Sequence, residues 1–431
     1  MLNEFKAEPH IAKVSRQLLK QKKRSNNYPM KVLGIVAEYN PLHNGHLYHI
    51  NKAKQETGAD AVIVALSGDY VQRGELAVTN KWVRAESAIK NGIDAVFEIP
   101  VYACLGNASV YASTAIKLLS ATGFIDVISF GSESGNLEKL TETASNLNDI
   151  RIGERINELS KDGHSYPKAR LIAYEELFGD SSNEILSRPN DTLALEYIKA
   201  NAVLKNSNID LHTVKRESSG YSAAFDNRMK FQSSSGIRKA IRNNIDVSDF
   251  MPEDSVKYMK NKSALTRDRI DDNLFNLVRY ALLNLSSDEI DEFPQGGEGI
   301  GAKLLDSINK CKSADELIMA AKSKRYTYTR ISRLLMQVLL GIKRTEFDGM
   351  NPGYLRLLAA NEMGRKLVRM AKNEELNMLP ILTNINREAQ NLPIFAKNQL
   401  LLDIKAADTY NIVAMNDMYK ESDRVKSPTM L

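Results

Sequence analysis

The sequence predicts an α/β fold, a parallel sheet covered by helices on both faces and followed by a mostly helical C-terminal region. Three observations carry that expectation. Short β-rich apolar runs alternate with helically spaced segments from residue 31 onward; those runs lack the polar alternation of half-exposed strands; and beyond residue 244 strand patterning gives way to long Leu/Ile/Met-spaced segments.

Val32–Ala37, Ala61–Leu66, Ala95–Ile99 and Val127–Phe130 read as strands buried on both faces. Between them Leu47–Glu56, Trp82–Lys90 and Ser109–Ala121 carry helical spacing, which makes the arrangement Rossmann-like and places any ligand beyond the carboxyl ends of the strands. Leu137–Tyr197 reads as mostly helical, Ile209–Arg216 supplies one more strand, and a helix begins near Ile237. The later segments Leu274–Leu285, Leu304–Asn309, Ala314–Lys322, Thr329–Ile342 and Tyr354–Met370 all read as helices. The expected division is a basic N-terminal extension over residues 1–29, a catalytic α/β domain over 30–244, and a helical domain over 245–431.

The 431 residues are 43% hydrophobic and 26% charged, which excludes disordered and fibrous classes. The longest apolar candidate, Leu334–Ile342, is interrupted by Gln337 and is too short for a membrane span. Cys104 and Cys311 are the only cysteines, so neither a disulfide framework nor a cysteine zinc site is expected, and a cytoplasmic location fits. Seven Lys/Arg and two acids fall in residues 1–29, so the net charge of +5 resides there and the remainder is balanced. Met30 stands directly before the first strand, and the arm ahead of it is expected to be disordered, either an upstream start or an RNA-binding extension.

Chemistry concentrates where strands run into helices. The first strand ends in Glu38-Tyr39-Asn40 and passes through Pro41-Leu42-His43-Asn44-Gly45-His46 into a helix. His43 and His46 share a face at the helix's amino end, where free N–H groups and the dipole attract phosphate, and imidazole donors there stabilise charge as pyrophosphate leaves an α-phosphate. Gly45 lets an adenosine lie against the backbone. Two other roles compete: a metal site of His43, His46 and His49, disfavoured because the three fan around the helix, and a structural histidine pair. The position directly after the first strand favours phosphate.

Ser233-Ser234-Ser235-Gly236-Ile237-Arg238 reads as a second anion-binding helix start, with Arg238 within reach of a phosphate. After the second strand, Ser67-Gly68-Asp69-Tyr70-Val71-Gln72-Arg73-Gly74-Glu75 projects Asp69 either to orient substrate or simply to form the turn. Gly131 follows the fourth strand and could admit a base. In the helical region Lys322, Lys324, Arg325, Arg330 and Arg333 interleave with Tyr326 and Tyr328, with no acid from residue 317 to 345. Basic residues beside aromatic rings suit RNA, although a solvated helix face explains most such runs.

The string Gly34-Ile35-Val36-Ala37-Glu38-Tyr39-Asn40-Pro41-Leu42-His43-Asn44-Gly45-His46-Leu47-Tyr48-His49, followed by Ser67 to Glu75, Lys81-Trp82, Tyr326-Thr327-Tyr328-Thr329-Arg330-Ile331-Ser332-Arg333 and Tyr354-Leu355-Arg356, resembles the bacterial tRNA(Met) cytidine acetate ligases of the HxGH nucleotidyltransferase superfamily. The resemblance runs from Met30 through the helical part. It implies a nucleotidyltransferase-type catalytic domain and an ATP-dependent ligase that activates free acetate, not acetyl-coenzyme A, as acetyl-adenylate and makes N4-acetylcytidine at the wobble position of elongator tRNA(Met). It further implies nucleotide contacts from Val36 to His49 and at Gly131, Asn190 and Arg216. Leu42, Leu76 and the segment Glu298-Gly299-Ile300-Gly301-Ala302 depart from the family's usual residues.

Taken together, His43, His46, Asp69 and Arg238 are the expected catalytic residues, Mg²⁺ is expected on the phosphates without a dedicated ligand cage, and Lys322, Lys324, Arg325, Tyr326, Tyr328, Arg330 and Arg333 are the expected RNA contacts. The competing activity is an adenylyltransferase acting on a small phosphorylated cofactor precursor. A catalytically silent RNA-binding protein is a third reading, opposed by the intact histidines.

Overall fold

A computed structural model describes residues 30–179, 183–204, 208–217, 225, 228–262, 269–297, 299–344 and 351–431. The basic arm over 1–29 lies outside the described residues.

The chain opens with β1 (Val32–Ala37), α1 (Asn44–Thr57) and β2 (Ala61–Ser67). A small hairpin, β3 (Tyr70–Val71) with β4 (Glu75–Leu76), precedes α2 (Lys81–Lys90), β5 (Ala95–Ile99), α3 (Ala108–Ala121) and β6 (Val127–Ser132). α4 (Leu137–Asn146), α5 (Ile150–Lys161), α6 (Tyr166–Phe178) and α7 (Pro189–Val203) then lead to β7 (Asp210–Lys215) and α8 (Ser234–Arg242). Within the main sheet these strands lie in the order β5-β2-β1-β6-β7, all parallel, and later strands extend the sheet beyond β5.

Alternation along each strand divides the core in two. Leu33, Ile35, Val62, Val64 and Val96 face Ile50 and Ala53 of α1 and Trp82, Ala85 and Ala88 of α2. Val32, Ala61, Ile63, Ala65, Ala95 and Phe97 face the opposite layer, which includes Tyr111, Ala115 and Leu119 of α3. A strand buried on both faces has no polar side to show, which is why these segments read as unbroken apolar runs.

The later region is mostly helical: α9 (Glu253–Lys262), α10 (Ile270–Leu283), α11 (Ile300–Ile308), α12 (Ala314–Ala321) and α13 (Tyr328–Leu340). It also contributes strands, which corrects the expectation that Tyr354–Met370 is a helix. Leu355–Ala360 is β8, antiparallel to β5, and only then does α14 (Glu362–Asn373) begin. β9 (Ile381–Leu382) pairs with β8, and after α15 (Ile394–Val413) the short β10 (Thr429–Met430) pairs on β8's other side. Residue 244 therefore does not mark the end of the sheet, because strands from beyond residue 354 complete one edge. The Leu-Leu-Ala-Ala composition favours helix intrinsically, and burial of all six residues between strands overrides it.

A buried charge cluster ties that edge to the core. Lys81 Nζ lies 2.6 Å from both Glu98 Oε1 and Asp423 Oδ2, Arg356 Nη1 lies 2.7 Å from Asp423 Oδ2, and Trp82 Nε1 donates to Asp423 Oδ1 at 3.0 Å. These charges come from α2, β5, β8 and the C-terminal segment, so the cluster closes only when all four are assembled. Lys81-Trp82, singled out in the sequence, is thus part of the framework.

Candidate active site

The carboxyl ends of β1, β6 and β7 open onto a cavity of about 240 Å³. From β1 the chain builds the sheet outward through β2 and β5 on one side and through β6 and β7 on the other. The cavity consequently sits at the topological switch point, where the connecting loops diverge and leave a crevice. Glu38, His43, Gly45, His46, His49, Gly131, Asn190, Arg216 and Arg238 all line it, with Gln72 and Arg73 from the hairpin and the buried aromatic rings of Tyr111, Phe130 and Tyr197.

The turn from β1 into α1 fixes the two leading imidazoles. His43 is the N-cap of α1, and its Nδ1 accepts from Gly45 N at 3.1 Å; His46 Nδ1 in turn accepts from His43 N at 3.3 Å. With both Nδ1 atoms occupied as acceptors, each neutral ring carries its proton on Nε2. His43 Nε2 meets Ser234 Oγ at 3.0 Å, while no described residue bonds His46 Nε2. The rings stack with centroids 3.7 Å apart. Burial pushes His43 down to about 3, helped by Arg216 and Arg238, and burial together with His43 and Arg216 holds His46 well below the ordinary imidazole value. Both are neutral hydrogen-bond donors at physiological pH. Gly45 is required by this packing: a Cβ there would lie 2.9 Å from His43 Cε1.

The second anion-binding element reaches the same place. Ser233 caps α8 by accepting from Gly236 N at 3.1 Å, and the His43–Ser234 contact brings the amino ends of α1 and α8 together. Two helix N-termini converging on one cavity concentrate positive potential there. Arg238 projects beside them, donating to Asn40 O at 2.9 Å and Glu75 Oε2 at 3.1 Å. Arg216, just past the end of β7, lines the cavity beside Gly131, and burial lowers its pKa. Asn190 Nδ2 donates to Glu133 Oε1 at 2.6 Å, and Glu133 also receives Asp191 N, so one carboxylate holds the start of α7 against the cavity.

Asp69 is placed differently. It does not line the cavity; its Oδ1 accepts from Lys81 N at 2.7 Å and its backbone carbonyl accepts from Ala77 N. Burial raises its carboxyl to about 6 against the pull of Lys81. The turn-forming role, and not contact with substrate, is the one its surroundings support.

The basic–aromatic stretch divides as well. Lys322, Lys324 and Arg325 are exposed. Tyr326 is buried, with its hydroxyl on Gly297 O, and Tyr328 donates to Asp315. Arg330 lies over the Tyr326 ring and donates to Gln295 O and Gly296 O at 3.1 Å. Arg333 is buried, donating to Gln295 Oε1 at 3.0 Å and to Gln72 O at 3.3 Å. Tyr326 and Arg333 are therefore framework residues, not a stacking platform, because their polar ends are spent on backbone and amide oxygens. Through Arg333 and Gly74, where φ is +78° and a Cβ would lie 2.3 Å from Arg333 N, α13 is seated directly on the hairpin that borders the cavity.

Sequence reasoning missed Arg84. From α2 it donates to Glu38 O at 2.7 Å, Ser67 O at 2.9 Å, Thr79 O at 3.0 Å and Gly68 O, cross-tying the ends of β1 and β2. An arginine on the apolar face of an amphipathic helix was the available signal. Among the described residues no group of three or more His, Cys, Asp or Glu is arranged to hold a metal ion, and no helix is long and apolar enough to cross a membrane.

Comparison with known proteins gives similarity over most of the chain. The family model described as HIGH Nucleotidyl Transferase matches residues 30–425. A tRNA(Met) cytidine acetate ligase of Clostridium novyi is 34% identical over 93% of this chain and 100% of its own length. One of Clostridium perfringens is 35% identical over 93% of this chain and 99% of its own. The crystal structure of apo Thermotoga maritima TmcAL superposes with a TM-score of 0.85 at 31% identity, covering 93% of this chain and 100% of that one. The same protein bound with alpha-thio ATP gives 0.82 at 30% identity, with the same coverage.

Proposed function

The chain belongs to the HIGH nucleotidyl transferase family and, within it, to the tRNA(Met) cytidine acetate ligases, and from that premise we propose that it uses ATP to acetylate N4 of the wobble cytidine of elongator tRNA(Met). The observation that carries the reading is the pair of neutral Nε2–H imidazoles held at two converging helix N-termini over the switch-point cavity. Donors with no net charge to redistribute, fixed by backbone bonds, are suited to charge that appears only in the transition state.

Acetate's carboxylate attacks the α-phosphate of ATP, forming acetyl-adenylate as pyrophosphate departs. His46 Nε2–H and Arg238 face the phosphates, and His43 joins them by exchanging its Ser234 partner for a phosphate oxygen. The cytidine N4 lone pair then attacks the acetyl carbon, AMP leaves, and N4 loses a proton. No enzyme nucleophile is required, so acceleration rests on orientation and electrostatics. The described residues build no cage for Mg²⁺; the ion would ride on the nucleotide and supply further charge neutralisation there. The exposed Lys322, Lys324 and Arg325, in the segment that leads into α13, are the RNA-facing cations of this reading.

An ATP–pyrophosphate exchange assay tests it. Exchange that depends on acetate is expected; exchange driven only by a phosphorylated metabolite would replace the ligase with an adenylyltransferase. Nucleoside mass spectrometry of tRNA from a deletion strain should show loss of N4-acetylcytidine, and an undiminished level would overturn the RNA target.

A further inference from the structure

The cavity's third histidine is linked by hydrogen bonds to the protein surface. His49 Nε2 lies 2.9 Å from Ser129 Oγ in β6, Ser129 Oγ lies 3.1 Å from His212 Nδ1 in β7, and His212 Nε2 lies 3.1 Å from Glu56 Oε2 near the end of α1. Ser129 is fully buried, whereas the Glu56 side chain is 44% exposed. Of the four, only His49 lines the cavity.

Counting donors gives the chain one direction. An ionised Glu56 has no proton to offer, so His212 Nε2 carries one. With His212 neutral, its Nδ1 must accept, and the proton it accepts is the Ser129 hydroxyl's. Ser129 Oγ then accepts from His49 Nε2–H, which leaves His49 with a bare Nδ1 that no described residue bonds. One turn earlier the assignment is the reverse: His46 spends Nδ1 on backbone and keeps a free Nε2–H. A triphosphate offers only acceptors and is matched by His46. A nucleoside offers N–H and O–H donors and is matched by His49.

We infer that Glu56, His212 and Ser129 are positioning residues that hold His49 as a hydrogen-bond acceptor for a donor group on the adenosine of the bound nucleotide. The inference rests on the ATP reading above. The donor is either the 6-amino group of the base or a ribose hydroxyl, and nucleotide analogues separate the two.

The test uses the full chain labelled with ¹⁵N-histidine at pH 8, above the ordinary imidazole range near 6.5. Long-range ¹H–¹⁵N correlation spectra should show His49 in a single Nε2–H tautomer, and Ser129→Ala and His212→Phe, which break the chain with different packing consequences, should each abolish that preference. Calorimetric titration with ATP, purine riboside triphosphate, 2′-deoxy-ATP and 3′-deoxy-ATP then gives a coupling cycle. One of the three analogues should bind the wild type about tenfold more weakly than ATP, the scale of one lost hydrogen bond, and that penalty should vanish in both variants. A purely structural role would weaken all four nucleotides alike. An unchanged His49 tautomer in both variants, or an analogue penalty that persists in them, overturns the inference. Failure of the wild type to bind ATP would instead sink the functional reading, with the tautomer result still legible.

Discussion

His43 and His46 stack with their ring planes inclined by 26°, and each imidazole has its Nδ1 filled by a backbone N–H of the same helical turn. The pair therefore builds the start of α1 as well as facing the cavity, and stability and chemistry separate on mutation.

His46→Ala and His43→Ala should each lower acetate-dependent pyrophosphate exchange by about 10²–10³-fold, the loss found when one transition-state donor is removed. His43→Ala should also cost about 1 kcal/mol of folding stability through the lost N-cap. Denaturant titration alongside the exchange assay checks both, and tRNA affinity falling as far as exchange would show that the rings contact RNA.

Stability should depend on pH in a fixed direction. Burial lowers His43 and His49 to about 3, below the ordinary value near 6.5 that they regain on unfolding. Below pH 6.5 the unfolded chain binds protons that the native protein does not, so stability rises with pH over that window. The contribution is whole above about 6.5 and is lost progressively as pH falls toward 3. Midpoints of urea unfolding at pH 7 and pH 5 should differ accordingly, and His49→Gln should narrow the difference.

Lys81→Met removes the cation between Glu98 and Asp423 and leaves buried carboxylates short of a partner. The expected loss is about 3–5 kcal/mol. Trp82, the chain's single tryptophan, bonds Asp423, so its fluorescence reports the same transition.

Within the basic stretch the two kinds of residue should behave oppositely. Replacing Lys322, Lys324 and Arg325 together with alanine should weaken tRNA binding and flatten its salt dependence, as expected when phosphate contacts are lost. Arg333→Ala should lower the melting temperature, since it strips Gln295 and the hairpin of a donor. A binding loss from Arg333→Ala with no change in melting would reverse that assignment.

What the sequence disclosed follows from how far apart the cooperating residues lie along the chain. His43, Gly45 and His46 act within one turn, and their pattern after a strand was readable directly. Arg238 was legible as part of a capped helix start, but its arrival beside Asn40 spans 198 positions and needed the fold. The chain from His49 to Glu56 was invisible because its links cross 80, 83 and 156 positions. Tyr326 and Arg333 misled for a related reason: composition marks a residue as able to meet RNA, and only packing shows that its polar end is already taken. Asn190 and Arg216 came from the family resemblance alone, since a lone Asn before a helix and an Arg after a strand carry no local signature.

The cluster around Lys81 has a bearing on how the protein is made. Its anion at position 423 is translated more than 300 residues after the lysine it neutralises, and β8 and β10 are likewise late arrivals. A ribosome will have emitted nearly the whole polypeptide before the first half can bury that lysine. Until then the nascent α/β core carries an open edge at β5, which is the stretch a holding chaperone would be expected to cover.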